Sequence, residues 1–156
     1  MAWDWRSSYL EQAKSDYTMF KSIDQAPLCH RLHYLQMTTE KLAKGFLTQP
    51  GGVRYGKTHD AFVKFMRVAK GRPEFQSAAG FEQSSRFVAF VEGLLGTAQE
   101  VENLSPDGGD HPNPEYPWEV GGTIYLPTEY PFPGLVLTNP KMIKLIQFVD
   151  DCLKIA

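Results

Sequence analysis

The chain has 156 residues, 42% hydrophobic and 22% charged, with 16 basic against 18 acidic side chains and a formal net charge of −2. That length suits one domain, residues 1–156; the apolar fraction excludes a disordered chain, and the near-neutral balance excludes a generally basic nucleic-acid binder. No run approaches the roughly 18 apolar residues of a membrane span, and Met1-Ala2-Trp3-Asp4-Trp5-Arg6 lacks the character of a signal peptide, so the expected setting is cytoplasmic, with Cys29 and Cys152 reduced.

In chain order, Trp5, Tyr9, Ala13, Tyr17 and Phe20 recur at steps of three or four and predict an amphipathic helix over 3–23. A second helix is expected over about 27–47, with Pro27 in its first turn and Leu28, Leu32, Leu35, Leu42 and Phe46 as its apolar stripe. Gln49-Pro50-Gly51-Gly52 ends it. Thr58 is the expected N-cap of a short third helix, with Asp60 in its first turn and Phe62, Phe65, Met66 and Ala69 inward. Gly71-Arg72-Pro73 closes that segment. Ser84 or Ser85 opens the next helix, running to about Asn103 with Phe87, Val88, Val91, Leu94, Leu95 and Ala98 inward; close helix packing would account for Gly93 and Gly96. Asn139-Pro140 reads as N-cap and N1 proline of a last helix, with Ile143, Ile146, Val149 and Leu153 facing the core. The expected fold is all-α, an antiparallel bundle of four to five helices.

The segment 104–138 interrupts this pattern. It holds seven of the eleven prolines and five of the thirteen glycines, together with Tyr116, Trp118, Tyr125, Tyr130 and Phe132. A structureless stretch of this length is uncommon in a compact domain. It reads as an insert packed on the bundle, with Thr123–Leu126 and Leu135–Leu137 as candidate hairpin strands. Its rival reading is a Pro/aromatic surface that grips a partner or a nucleobase.

Charge is unevenly distributed. Residues 41–86 carry nine basic groups against three acidic ones, a net of +6, whereas 104–138 carry five acidic groups and no Lys or Arg, a net of −5. One reading is mutual neutralisation of two faces. The other is an anion-binding surface in the middle of the chain, over which the acidic segment folds as a gate.

Two stretches carry the motif-like content. Helix two reads His33-Tyr34-Leu35-Gln36-Met37-Thr38-Thr39-Glu40-Lys41-Leu42-Ala43-Lys44, and after the Pro/Gly loop comes Thr58-His59-Asp60-Ala61-Phe62. This resembles the HEPN domain, the small helical nucleotide-binding module of higher eukaryotes and prokaryotes. Its second helix commonly carries Gln-x-x-x-Glu-Lys-x-x-Lys, and a Thr-His-Asp/Asn segment opens its next helix. Gln36, Glu40, Lys41, Lys44, Thr58, His59 and Asp60 are the matching positions, and the resemblance spans about residues 3–103. The Pro-rich insert departs from the minimal family pattern.

The resemblance implies a helical module, often a homodimer, that binds nucleotide or RNA without a cofactor. It also implies a toxin–antitoxin setting beside a nucleotidyltransferase-like protein partner. Active members are metal-independent endoribonucleases with an Arg-x4–6-His motif, and Arg54-Tyr55-Gly56-Lys57-Thr58-His59 has that spacing. In such chemistry the His moves a proton and the Arg holds growing phosphate charge. The family's motif usually sits on a later helix, whereas this one spans a loop, so binding without catalysis is the leading reading. Arg54 with His59 as a catalytic pair is the alternative, and a protein–protein scaffold using 104–138 is a second.

Read without the family, Gln36, Glu40 and Lys44 form an ordinary i, i+4 polar row, and His59 a cap-region histidine with one hydrogen bond. Even so, Lys41, Lys44, Arg54 and Lys57 surround one loop. A phosphate at the amides opening the third helix would meet both the helix dipole and these cations. Cys29 and His33 lie four apart on one helix, but no second Cys/His pair at ligand spacing accompanies them, so no metal is assigned; Cys29 reads as half-buried on the helix flank.

Overall fold

The computed structural model describes residues 2–156. Among them the chain is mostly helical: α1 (Trp5–Ser22), α2 (Leu28–Leu47), α3 (Ala61–Ala69), α4 (Pro73–Ala78), α5 (Ser84–Glu102) and α6 (Pro140–Lys154), with a two-stranded antiparallel sheet of β1 (Trp118–Val120) and β2 (Thr123–Tyr125). No helix among these residues is long and apolar enough to cross a membrane.

α1 starts where Asp4 closes a reciprocal capping box: its carboxylate accepts from the Ser7 backbone N–H at 2.8 Å, and the Ser7 hydroxyl accepts from the Asp4 N–H. The second carboxylate oxygen accepts from the Gly51 N–H at 2.9 Å, which ties the loop after α2 to the start of α1. The hydrogen bonds from the Ser7 side chain and backbone, then from Gly51, lower the Asp4 carboxyl to about 2. Because this folded value lies below the ordinary one, the contribution is present above the usual aspartate range and is lost as pH falls toward 2. Acid titration of unfolding midpoints should therefore show a shallower loss between pH 4 and 2 in Asp4→Asn than in the parent.

α1 lies along α2, and the approach is close at Gly45, where a Cβ would stand 2.5 Å from Leu10 Cδ2. Leu10, Ala13, Tyr17 and Phe20 form the buried face of α1, while Trp5 is exposed, so the expected stripe is displaced at its first position. The α2 stripe is as expected at Leu32, Leu35, Leu42 and Phe46. Pro27 occupies the N-cap position rather than the first turn, and Cys29 is buried rather than on a flank. Arg6 from α1 donates to the carbonyls of Gly45, Phe46 and Thr48, the last at 2.9 Å, and so caps the C-terminus of α2.

α3 packs on α2 and α5 through Phe62, Phe65, Met66 and Ala69, all buried. α4 has no counterpart among the expected helices: Pro73 not only stops the preceding segment but is also the N1 proline of a new helix. Its Phe75 fits edge-on against Phe46 at 4.9 Å and Phe65 at 5.2 Å.

α5 begins as expected but without a serine cap, since Gln83 holds the cap position and makes no side-chain cap bond. Its Phe87, Val91, Leu94 and Ala98 are buried, while Val88 and Leu95 are only half-buried. Gly93 and Gly96 are exposed, with no heavy atom within 4 Å of where a Cβ would stand, so close helix packing does not explain them. Gly93→Ala and Gly96→Ala should each raise stability by about 0.5–1 kcal/mol, read as a higher denaturation midpoint at unchanged slope.

Residues 104–138 carry contacts of their own. Asn113 Oδ1 accepts from the Glu115 and Tyr116 amides, and Trp118, Tyr125, Tyr130 and Phe132 form one aromatic cluster. The hairpin differs from the expected pairing. Trp118–Val120 pairs with Thr123–Tyr125 across Gly121-Gly122, whose positive φ values of 56° and 81° suit the mirror-image turn that matches strand twist. α6 opens as expected, Asn139 Oδ1 accepting from the Lys141 N–H at 3.0 Å. Its buried face is Met142, Leu145, Phe148, Val149, Cys152 and Leu153, with Ile143 exposed. Val149 and Leu153 are thus buried as expected and Ile146 is half-buried, while the Phe148 ring sits 6.0 Å from the rings of Phe87 and Phe90.

Candidate functional site

Three motif positions of α2 lie on one flank of the helix, and the loop after it returns His59 to them. Gln36 Nε2 donates to Glu40 Oε2 at 2.8 Å, Lys44 Nζ donates to Glu40 Oε1 at 2.8 Å, and His59 Nδ1 lies 3.0 Å from Glu40 Oε2. Gln36 and Lys44 are buried, so this is not an ordinary solvated i, i+4 row. Burial works to raise the Glu40 carboxyl, but the hydrogen bonds from Lys44, His59 and Gln36 outweigh it and hold the group below the usual glutamate range. A carboxylate at Nδ1 requires the proton there in the neutral ring, which leaves Nε2 of His59 as the free acceptor. The His59 side chain is 47% exposed, so the ring is oriented from behind and open in front.

The other motif positions are placed differently. Lys41 pairs with the buried Asp16 of α1 and ties the two helices together. Asp60 holds the N-cap position of α3, so the helix opens later than a Thr58 cap would have it, and its carboxylate accepts from Lys64 at 2.8 Å rather than from an amide. The hydrogen bonds from Lys64 and then Thr58 lower the Asp60 carboxyl. Arg54 sets its guanidinium 5.1 Å over the ring of Trp5, and Lys57 is exposed without an ion pair among the described residues.

Sequence reasoning missed Glu102. Its Oε1 accepts from the Val63 N–H at 3.1 Å, and Gln99 donates to its Oε2 at 2.9 Å, so an internal carboxylate already takes an amide at the start of α3. Thirty-nine residues separate Glu102 from Val63, and no local pattern announces such a cap.

A groove of about 820 Å³ opens in front of His59. Thr58, His59 and Asp60 form one wall. Glu100, Glu102, Asp107 and His111 come from the end of α5 and the following loop, and Tyr130, Phe132 and Leu135 from the insert. His111 Nε2 lies 3.0 Å from Asp107 Oδ1, and the Gly109 N–H followed by His111 lowers the Asp107 carboxyl. Glu100 has no ion pair or hydrogen bond to another described side chain, and its carboxylate lies beside Gly134, where a Cβ would approach Oε2 to 3.2 Å. Phe132 is buried with φ at 45°, a left-handed backbone that side chains rarely adopt, here between two prolines at the groove wall. The groove is thus aromatic and carboxylate-lined, with no Lys or Arg in its wall. The basic side chains of the preceding loop stand outside it.

Among the described residues no group of three or more His, Cys, Asp or Glu side chains converges as a metal site would require. Comparisons of the chain with protein-family models, curated proteins and solved structures return no match.

Proposed function

We propose that the chain is a HEPN-like helical module that binds nucleotide or RNA at the groove in front of His59. The observation that carries this reading is the convergence of Gln36, Glu40, Lys44 and His59, four motif positions from two separated stretches, into one hydrogen-bonded cluster of which His59 lines that groove. An antiparallel bundle bearing the insert, a homodimer and a nucleotidyltransferase-like partner belong to the same reading.

The lining decides which part of a nucleotide enters. A phosphate inside would face Asp60, Glu100, Glu102 and Asp107 with no cation in the wall, a repulsive arrangement. A base enters instead, its amino and imino donors toward the carboxylates and its face on Tyr130 and Phe132. Phosphates stay outside, toward Lys57 and Arg54. Equilibrium titration of guanosine and cytidine monophosphates should show saturable binding, weakened about five- to tenfold by His59→Ala, the worth of one hydrogen bond to the ligand. Binding unchanged in His59→Ala would remove this site from consideration.

A second reading, a metal-independent endoribonuclease, is favoured by the orientation of His59. A ring fixed at Nδ1 by a carboxylate and open at Nε2 is arranged to accept a proton from a 2′-hydroxyl. Arg54 lies over Trp5, whereas His59 is held by Glu40. Chelator-resistant RNA cleavage that disappears in His59→Ala would establish catalysis, and its absence at concentrations that saturate binding would leave binding alone.

A further inference from the structure

The chain entering α1 leaves two tryptophans in solvent, Trp3 at 69% and Trp5 at 43% exposure, although burial of such rings is among the larger gains available to a small domain. Trp5 is tilted against Tyr9 at 6.1 Å between ring centroids, and Arg54 lies over its ring. Beside them is a cavity of about 530 Å³ lined by Trp3, Asp4, Arg6, Ser7, Leu10 and Pro50. The third tryptophan, Trp118, is buried in the insert.

Charge selects the occupant. Arg54 and Lys57 are exposed and unpaired among the described residues. The acid nearest in sequence, Asp4, is occupied by the Ser7 and Gly51 amides, and Arg6 is occupied by the carbonyls ending α2. The corner therefore combines the open ring of Trp3 and the part-exposed ring of Trp5 with Arg54, a cation that has no carboxylate partner, while the one carboxylate there, Asp4, is held by backbone amides. Single-stranded nucleic acid presents the matching pair of features, base faces and a phosphate backbone. Loop residues 54–59 then connect this corner to the His59 groove, with Lys57 between the two.

We propose that Trp3, Trp5 and Arg54 form a stacking platform for single-stranded RNA, which continues along the Arg54–His59 loop and delivers one base to the groove. This rests on the nucleotide- or RNA-binding reading above and adds a second subsite to it. A strand stacks one or two bases on Trp5 and Trp3, with Arg54 and Lys57 taking the intervening phosphates. A mononucleotide reaches the groove without touching either tryptophan, its phosphate meeting at most Arg54 and Lys57.

The test titrates the full chain with a 12-nucleotide single-stranded RNA and with guanosine monophosphate, following tryptophan fluorescence and, independently, anisotropy of the labelled RNA. The RNA is expected to quench the exposed tryptophans, and Trp5→Ala to weaken RNA binding about tenfold while leaving the monophosphate affinity unchanged. Trp5→Phe should restore most of the RNA affinity, and Arg54→Ala should make the salt dependence of RNA binding shallower by about 0.7 in log–log slope. Helical circular dichroism of each variant checks that it folds. RNA binding at parental strength in Trp5→Ala, without quenching in the parent, overturns the platform while the groove reading stands. Failure of both ligands to bind overturns both. Loss of a parental dimer in Trp5→Ala, with RNA affinity unchanged, assigns the corner to a second copy of the chain and also overturns the platform.

Discussion

Replacing Glu40 with alanine is expected to cost about 3–5 kcal/mol of folding stability, read as a lower urea midpoint, because it leaves a buried cation without its counter-charge. Lys44 is 7% exposed and its ammonium is 2.8 Å from Glu40 Oε1. Removing the carboxylate strands that charge and also frees Gln36 and His59. The double variant Glu40→Ala with Lys44→Met should recover much of the loss, since replacing both partners of a buried pair by apolar groups is often neutral. The pH dependence has the same origin. The folded Glu40 carboxyl lies below its ordinary value, so its contribution is complete above the usual glutamate range and disappears as pH falls through the lowered value. The acid limb of the stability profile should be flatter in Glu40→Ala than in the parent. Because the same carboxylate orients His59, nucleotide binding should fall in this variant even at temperatures where it remains folded.

Phe75→Ala should be comparably severe, about 3–5 kcal/mol in thermal or chemical unfolding, with a cavity left between three elements. The ring is 1% exposed and meets Phe46 of α2 and Phe65 of α3 edge-on. These two rings are themselves stacked at 5.5 Å, so removing Phe75 withdraws one member of a closed aromatic triad. α4 itself has six residues, too few for an isolated helix to persist in water. Its stability comes from this ring. A leucine at the same position should recover part of the loss, because it refills some of the volume without the edge-on contact.

Strong periodic stripes and local caps were legible. The α2 stripe, the apolar side of α3, Asn139-Pro140 at the start of α6, and the approximate bounds of α1, α2 and α5 follow from neighbours within one or two turns. Failures cluster where a distant partner intervenes. Trp5 belongs to the α1 stripe by spacing, yet Leu10 takes the buried place because Gly45 admits it against α2. Thr58 has the chemistry of an N-cap, yet α3 opens later and Glu102 supplies an amide's acceptor. Apolar runs point to a hairpin of Thr123–Leu126 with Leu135–Leu137, whereas Gly121-Gly122, able to take positive φ, sets the turn between Trp118–Val120 and Thr123–Tyr125.

The candidate site divides in the same way. Gln36, Glu40, Lys44 and His59 stand out as a pattern in the chain itself, because residues four apart share a helix flank and a Pro/Gly loop returns the chain to that flank. Their burial and the direction of the His59 ring depend on tertiary packing. So does the sign of the groove: the +6 block sits beside it in sequence, but the wall in front of His59 is built from the carboxylates of Glu100, Glu102 and Asp107. Sequence alone determined five of the six helices and the row of Gln36, Glu40 and Lys44 on one flank of α2, since both are set by short-range spacing. Only the tertiary structure decided which charges face one another, because electrostatic partners are chosen by distance in space, and here residues 39 apart in the chain meet at 3.1 Å.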